Sequence, residues 1–200
     1  PKGFTVTYNA NGGTTEVGSE VSTKTFESWL LTGGGKFVGN TYTFGTKDED
    51  GTLTANYKNN SINLTTAKKV GYTFTGWYLD SNCTQALVLN ADGTYTPQKD
   101  ITIYAGWSAN QVTYKVYRYL ENANNENYTL YGDVIEGKAA AGSTLTLLTE
   151  ANKNQIANTK YVGANLTGGT LGVGTSITTT TVAPDGTTNI YLYYDRNEYT

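Results

Sequence analysis

Phe74-Thr75-Gly76-Trp77, followed by Thr94-Tyr95-Thr96 and then Ile101-Thr102-Ile103-Tyr104-Ala105-Gly106-Trp107, has an earlier counterpart in the same chain. Phe26-Glu27-Ser28-Trp29 leads to Thr41-Tyr42-Thr43 and then to Gly51-Thr52-Leu53-Thr54-Ala55-Asn56-Tyr57. The offset is 48 residues at Trp29/Trp77, 53 at Tyr42/Tyr95 and 50 at Tyr57/Trp107. Self-similarity at a period of this size marks a duplicated structural unit. What recurs is aromatic residues, β-branched residues and turns, with no acid, base or metal ligand among them. The pattern is that of a scaffold and not of a catalyst. Trp29 and Trp77, at matching places, are both expected to anchor a core.

Outward from the duplication, the composition agrees. The 200 residues include 36 threonines, 17 tyrosines and 23 glycines, with charged residues at only 16%. Thr and Tyr pack well on a pleated sheet, and glycine supplies turns. Mean hydropathy of −0.44 is low, but aromatics at 12% argue for a packed chain over a disordered one. Net charge is −3, which gives no basic footprint for nucleic acid or anionic lipid. No stretch approaches a membrane span in length and apolarity. The single cysteine, Cys83, cannot form an intrachain disulfide and lies in a polar turn, so it is expected to be an incidental thiol. There is no Met, and the chain is expected to be an excised piece of a longer protein.

Alternation and turn chemistry place the elements. Phe4–Tyr8 reads as a strand, and Asn9-Ala10-Asn11-Gly12-Gly13 as a tight turn. Val21–Leu31, Thr41–Phe44, Leu53–Tyr57, Gly71–Tyr78 and Ile101–Trp107 follow as strands, with Ser108–Gln111 as a boundary. Val112–Leu120 is expected to pair with Tyr128–Lys138 as a hairpin. Thr149–Ile156, with Thr149 as N-cap, is the one plausible helix. Ser176–Val182 and Asn189–Tyr194 read as the closing strands.

Val6-Thr7-Tyr8-Asn9-Ala10-Asn11-Gly12-Gly13, Gly71-Tyr72-Thr73-Phe74-Thr75-Gly76-Trp77-Tyr78 and Ile103-Tyr104-Ala105-Gly106-Trp107 together resemble the Listeria–Bacteroides repeat, the internalin B-repeat, over residues 3–108. The first half departs from it, with Ser28-Trp29 for Gly-Trp and Tyr57 for the last Trp, and reads as a degenerate copy or as part of one merged module. Residues 112–200 resemble a mucin-binding-protein-type (MucBP-like) repeat, through Val112–Tyr117, Gly142–Leu145 and Asp185–Tyr194. The resemblance implies a β-rich α+β fold of tandem small β-grasp-like modules, mainly antiparallel, with at most one or two short helices. The expected division is 1–109, with half-repeats 1–58 and 59–109, and 110–200. It implies a bacterial cell-surface or cell-wall protein outside the cell, no enzyme, no cofactor and no metal. The expected partners are neighbouring repeats and, in a second reading, host glycan, mucin or protein. The chain is expected to be monomeric.

Candidate chemistry is thin. With no histidine, Ser-His-Asp and Cys-His arrangements are excluded. Asp48-Glu49-Asp50-Gly51 offers oxygen ligands without the spacing of a calcium loop. Gly33-Gly34-Gly35-Lys36 lacks the spacing of a phosphate loop. Lys115 and Lys138 lie on strands where an isopeptide bond would need them buried. The tyrosines carry more. Alternation sets Tyr114, Val116 and Leu120 on one face of their strand and Lys115, Tyr117 and Tyr119 on the other. On the last strand Ile190, Leu192 and Tyr194 share one face, and Tyr191 and Tyr193 the other. If the two strands are adjacent, Tyr117, Tyr119, Tyr191 and Tyr193 cluster on the outer face. Such a cluster is either a stabilising aromatic ladder or a ligand-binding platform.

Overall fold

The computed structural model describes residues 1–43, 51–172 and 174–197. They form two compact units, residues 1–67 with 75–106, and residues 68–74 with 107–200. The acidic turn Asp48-Glu49-Asp50 lies outside the described residues.

The first unit is built from β1 (Lys2–Asn9), β2 (Thr14–Thr15), β3 (Ser19–Gly33), β4 (Lys36–Val38), β5 (Thr41–Thr43), β6 (Gly51–Asn59), β7 (Ala67–Lys68), β8 (Tyr72–Tyr78) and β9 (Ile101–Ala109), of which residues 68, 72–74 and 107–109 are counted with the second unit. Its main sheet has the order β6-β3-β1-β9-β8. β1 and β9 are parallel, while β3 is antiparallel to β1 and to β6. The two aromatic segments of each half-repeat are therefore sheet neighbours, β3 with β6 and β8 with β9. Strands of both halves lie in one sheet.

The core of this unit gathers Val6, Tyr8, Ala67, Trp77, Ile103 and Ala105. The Tyr8 and Trp77 ring centroids are 5.0 Å apart, and the Trp77 indole N–H donates to the Thr65 carbonyl at 2.9 Å. Trp77 thus satisfies its one polar atom while burying its rings. Trp29 does not match it. It is 45% exposed, which corrects the expectation of a second core anchor. It sits on the outer part of β3, opposite Ala55 of β6, where its ring meets Phe26 at 5.3 Å and Phe37 of the β4–β5 hairpin at 6.3 Å.

Asn11 explains why the turn after β1 is written Asn-Gly-Gly. Its φ of 48° and the 85° of Gly12 are left-handed values that Asn and Gly adopt at least cost. Its amide donates to the carbonyls of Ser81 at 3.1 Å and Ala105 at 3.2 Å, tying the turn to the loop after β8 and to β9. Cys83, half-buried, points its thiol at the same Ala105 carbonyl at 3.5 Å.

The second unit runs β10 (Gln111–Glu121), β11 (Tyr128–Leu130), β12 (Ile135–Ala140), β13 (Thr144–Thr146), α1 (Leu147–Lys153), β14 (Thr159–Asn165), β15 (Thr179–Thr181) and β16 (Asn189–Arg196). The sheet order is β11-β10-β16-β14, with β12 also on β10. β10 and β16 are parallel and central, and the other pairings are antiparallel. Tyr114, Val116, Ile190, Leu192 and Tyr194 face the core, covered by Leu147, Ala151 and Ile156. Tyr114 donates to the buried Glu150 carboxylate at 2.8 Å, and Glu150 is also paired with Lys153 at 2.7 Å.

Two expected elements differ in detail. The hairpin partner Tyr128–Lys138 is split into β11 and β12. Gly132, at φ 66°, lets the chain leave the ladder, and the Tyr131 N–H still donates to the Arg118 carbonyl at 2.7 Å. The helix starts at Leu147 and not at Thr149, because pairing with β15 holds the chain extended through Thr146. Leu147 and Ala151, one helical turn apart, then both reach the core.

Candidate functional site

The parallel register of β10 and β16 puts Tyr117 opposite Tyr191 and Tyr119 opposite Tyr193. Alternation carries all four to the side of the sheet away from α1. Tyr117 and Tyr191 stack, with centroids 4.7 Å apart and planes within 15°. Tyr119 lies 6.1 Å from Tyr191 and 5.3 Å from Tyr193. The four candidate residues do come together.

A fifth tyrosine joins them. Tyr128 of β11 meets Tyr193 edge-on at 5.3 Å and donates its hydroxyl to Asp195 at 2.6 Å. Burial, then this bond to a carboxylate, pushes the Tyr128 phenol well above its ordinary range. The sequence signal was present in the register that puts Tyr128 opposite Glu121, but that register could not be read before the hairpin split was known.

The four candidates are not equally accessible. Tyr117, Tyr119 and Tyr191 are half-buried. Tyr193 is fully buried, its hydroxyl donating to the Gly169 carbonyl at 2.9 Å and accepting from the Asn165 amide at 3.1 Å. The glycine-rich loop after β14 folds over this end of the cluster. Asn165 pins it, accepting from the Gly168 N–H at 2.9 Å. Gly168, at φ 72°, passes so close that a Cβ there would lie 2.9 Å from the Tyr191 ring. Burial, followed by the neighbouring phenols, raises the Tyr191 pKa; burial likewise raises that of Tyr193.

This surface can stack, and it can offer phenol hydroxyls. An apolar face with hydroxyl edges can make both apolar and hydrogen-bonded contacts. Lys115 and Lys138, the isopeptide candidates, are both exposed.

Residues 39–106 match the model of the Listeria-Bacteroides repeat domain. The match begins between β4 and β5 and ends in β9, so it covers about a third of the chain and omits β1 and β3. It does not extend into residues 112–200. No curated protein and no solved structure matches the chain. A repeat of this kind suggests a repeat segment of an extracellular surface protein. Among the described residues, no helix is long and apolar enough to cross a membrane.

Proposed function

We propose that the chain is a non-catalytic segment of a bacterial surface protein, a semi-rigid spacer built of β-grasp-like repeats that extends and presents other domains. The observation that carries this reading is the repeat match over residues 39–106. The connectivity supports it. A single residue, Asn110, separates β9 from β10, and the chain passes between the two units three times, after residues 67, 74 and 106. A one-residue connection between strands leaves few soft dihedrals, unlike a flexible linker. The likeness of residues 112–200 to a MucBP-type repeat belongs to the same proposal, as does attachment at the cell wall.

A second reading is favoured by one feature, the stacked pair Tyr117–Tyr191 at the accessible end of the cluster. In it the second unit is an adhesin module for host glycan, mucin or protein. A glycan and mucin array screened with the whole chain, beside the Tyr117→Ser/Tyr191→Ser double variant, separates the two. The spacer reading expects silence from both. Saturable binding that disappears in a still-folded variant replaces it with the adhesin reading.

A further inference from the structure

The ribbon formed by β3 and β6 has an apolar face that the first unit does not bury. A bulge between Phe26 and Ser28 shifts the phase of β3 by one residue. Phe26 then lies opposite Tyr57, Trp29 opposite Ala55, and Leu31 opposite Leu53, and alternation sets all six on one side. Phe26, Trp29 and Tyr57 are 46%, 45% and 44% exposed. Their rings touch one another, Phe26–Trp29 at 5.3 Å and Phe26–Tyr57 at 6.0 Å. A contiguous exposed aromatic face of this kind marks an interaction surface.

β6 is also an end of its sheet. Among the described residues it pairs with β3 alone. Natural edge strands are blunted by charge, proline, bulges or shortness. β6 is nine residues long, without proline, and its one charge is Lys58, next to its last residue. Its outer row of N–H and C=O groups is a template for another strand.

We propose that β6 of a second copy of this chain completes the edge, antiparallel, about a two-fold axis at Ala55. The side-chain register of the strand against itself favours this occupant. In that register Leu53 faces Tyr57, Thr54 faces Asn56 and Thr52 faces Lys58, each pair occurring twice. No like charges meet, and the aliphatic–aromatic pair is a favourable cross-strand contact. A slip of one residue would pair the apolar side of one strand with the polar side of the other. The two aromatic faces become continuous across a four-stranded ribbon.

Sedimentation velocity of the whole chain, from low micromolar to near-millimolar concentration, tests the proposal. The expected result is a reversible monomer–dimer equilibrium, weakened at least ~10-fold by Ala55→Lys, which sets two like charges face to face at the axis. Because that variant could disturb the ribbon, Ala55→Cys in a Cys83→Ser background is treated with a short bismaleimide. A covalent dimer is expected from it, and none from Ser28→Cys on the inner strand. A chain that stays monomeric throughout, a dimer indifferent to Ala55→Lys, or Ala55→Cys copies that fail to cross-link overturns the proposal.

Discussion

Trp29 and Trp77 occupy the same place in a duplicated pattern and opposite places in the structure. Similar neighbours in sequence fix that each lies on a strand, but not what covers the strand. β8 has the core of its unit over Trp77, while β3 has run past that core by the time it reaches Trp29. Trp77→Ala should therefore cost about 3–5 kcal/mol, as large aromatic truncations in cores do, whereas Trp29→Ala should cost about 1 kcal/mol, the scale of an exposed aromatic pair. Urea unfolding followed by circular dichroism measures both, and equal losses would restore Trp29 to the core. Asn11 makes a second residue-level case. Asn11→Gly keeps the left-handed backbone but loses the two amide bonds to Ser81 and Ala105, and should cost about 1–2 kcal/mol. Asn11→Ala should cost more, because it adds backbone strain. A glycine variant as stable as the parent would mean that the amide bonds contribute nothing.

Among the elements, β10 and β16 were the most legible. The aliphatic side of each strand, Val116 and Leu120 in one and Ile190 and Leu192 in the other, marks the face that turns to the core whichever strand lies beside it. The glycine-rich loop over Tyr193 was not legible. Nothing in Gly168-Gly169 states which surface the loop will approach, and only the Asn165 turn and the Tyr193 hydroxyl settle it. The helix start was misread for a related reason: Thr149 is a good capping residue, yet the β13–β15 ladder and the burial of Leu147 outweigh a cap worth about 1 kcal/mol. The core side of the same sheet makes a pH prediction. Burial, then the bond to Glu150, pushes the Tyr114 phenol up to about 12, and burial pushes Tyr194 up to about 12. An unfolded tyrosine releases its proton near ~10, so above that pH the unfolded chain binds fewer protons than the folded one. This contribution to stability is complete below pH ~10 and is lost as pH rises towards ~12. The denaturation midpoint should fall over that window, and fall less in Tyr194→Phe. A flat midpoint there would contradict the assignment.

For the molecule as a whole, the division into units is not a cut at one point in the chain. Residues 68–74 belong with 107–200. The Tyr72 hydroxyl donates to the Ala141 carbonyl at 3.1 Å, and Thr73 donates to Asn110 at 2.7 Å. Phe74 packs edge-on against Trp107 at 5.7 Å. A fragment of residues 110–200, the module suggested by the sequence boundary, should therefore melt below the same residues in the whole chain. Identical transitions would show that residues 68–74 add nothing to the unit. The three tryptophans also lie at three depths: Trp77 is 7% exposed and Trp29 45% exposed, with Trp107 between them in the other unit. Each indole therefore emits from its own setting. A collisional quencher should reach the ribbon through Trp29 first and the core through Trp77 last, so the chain carries its own optical probes for the edge, the interior and the second unit.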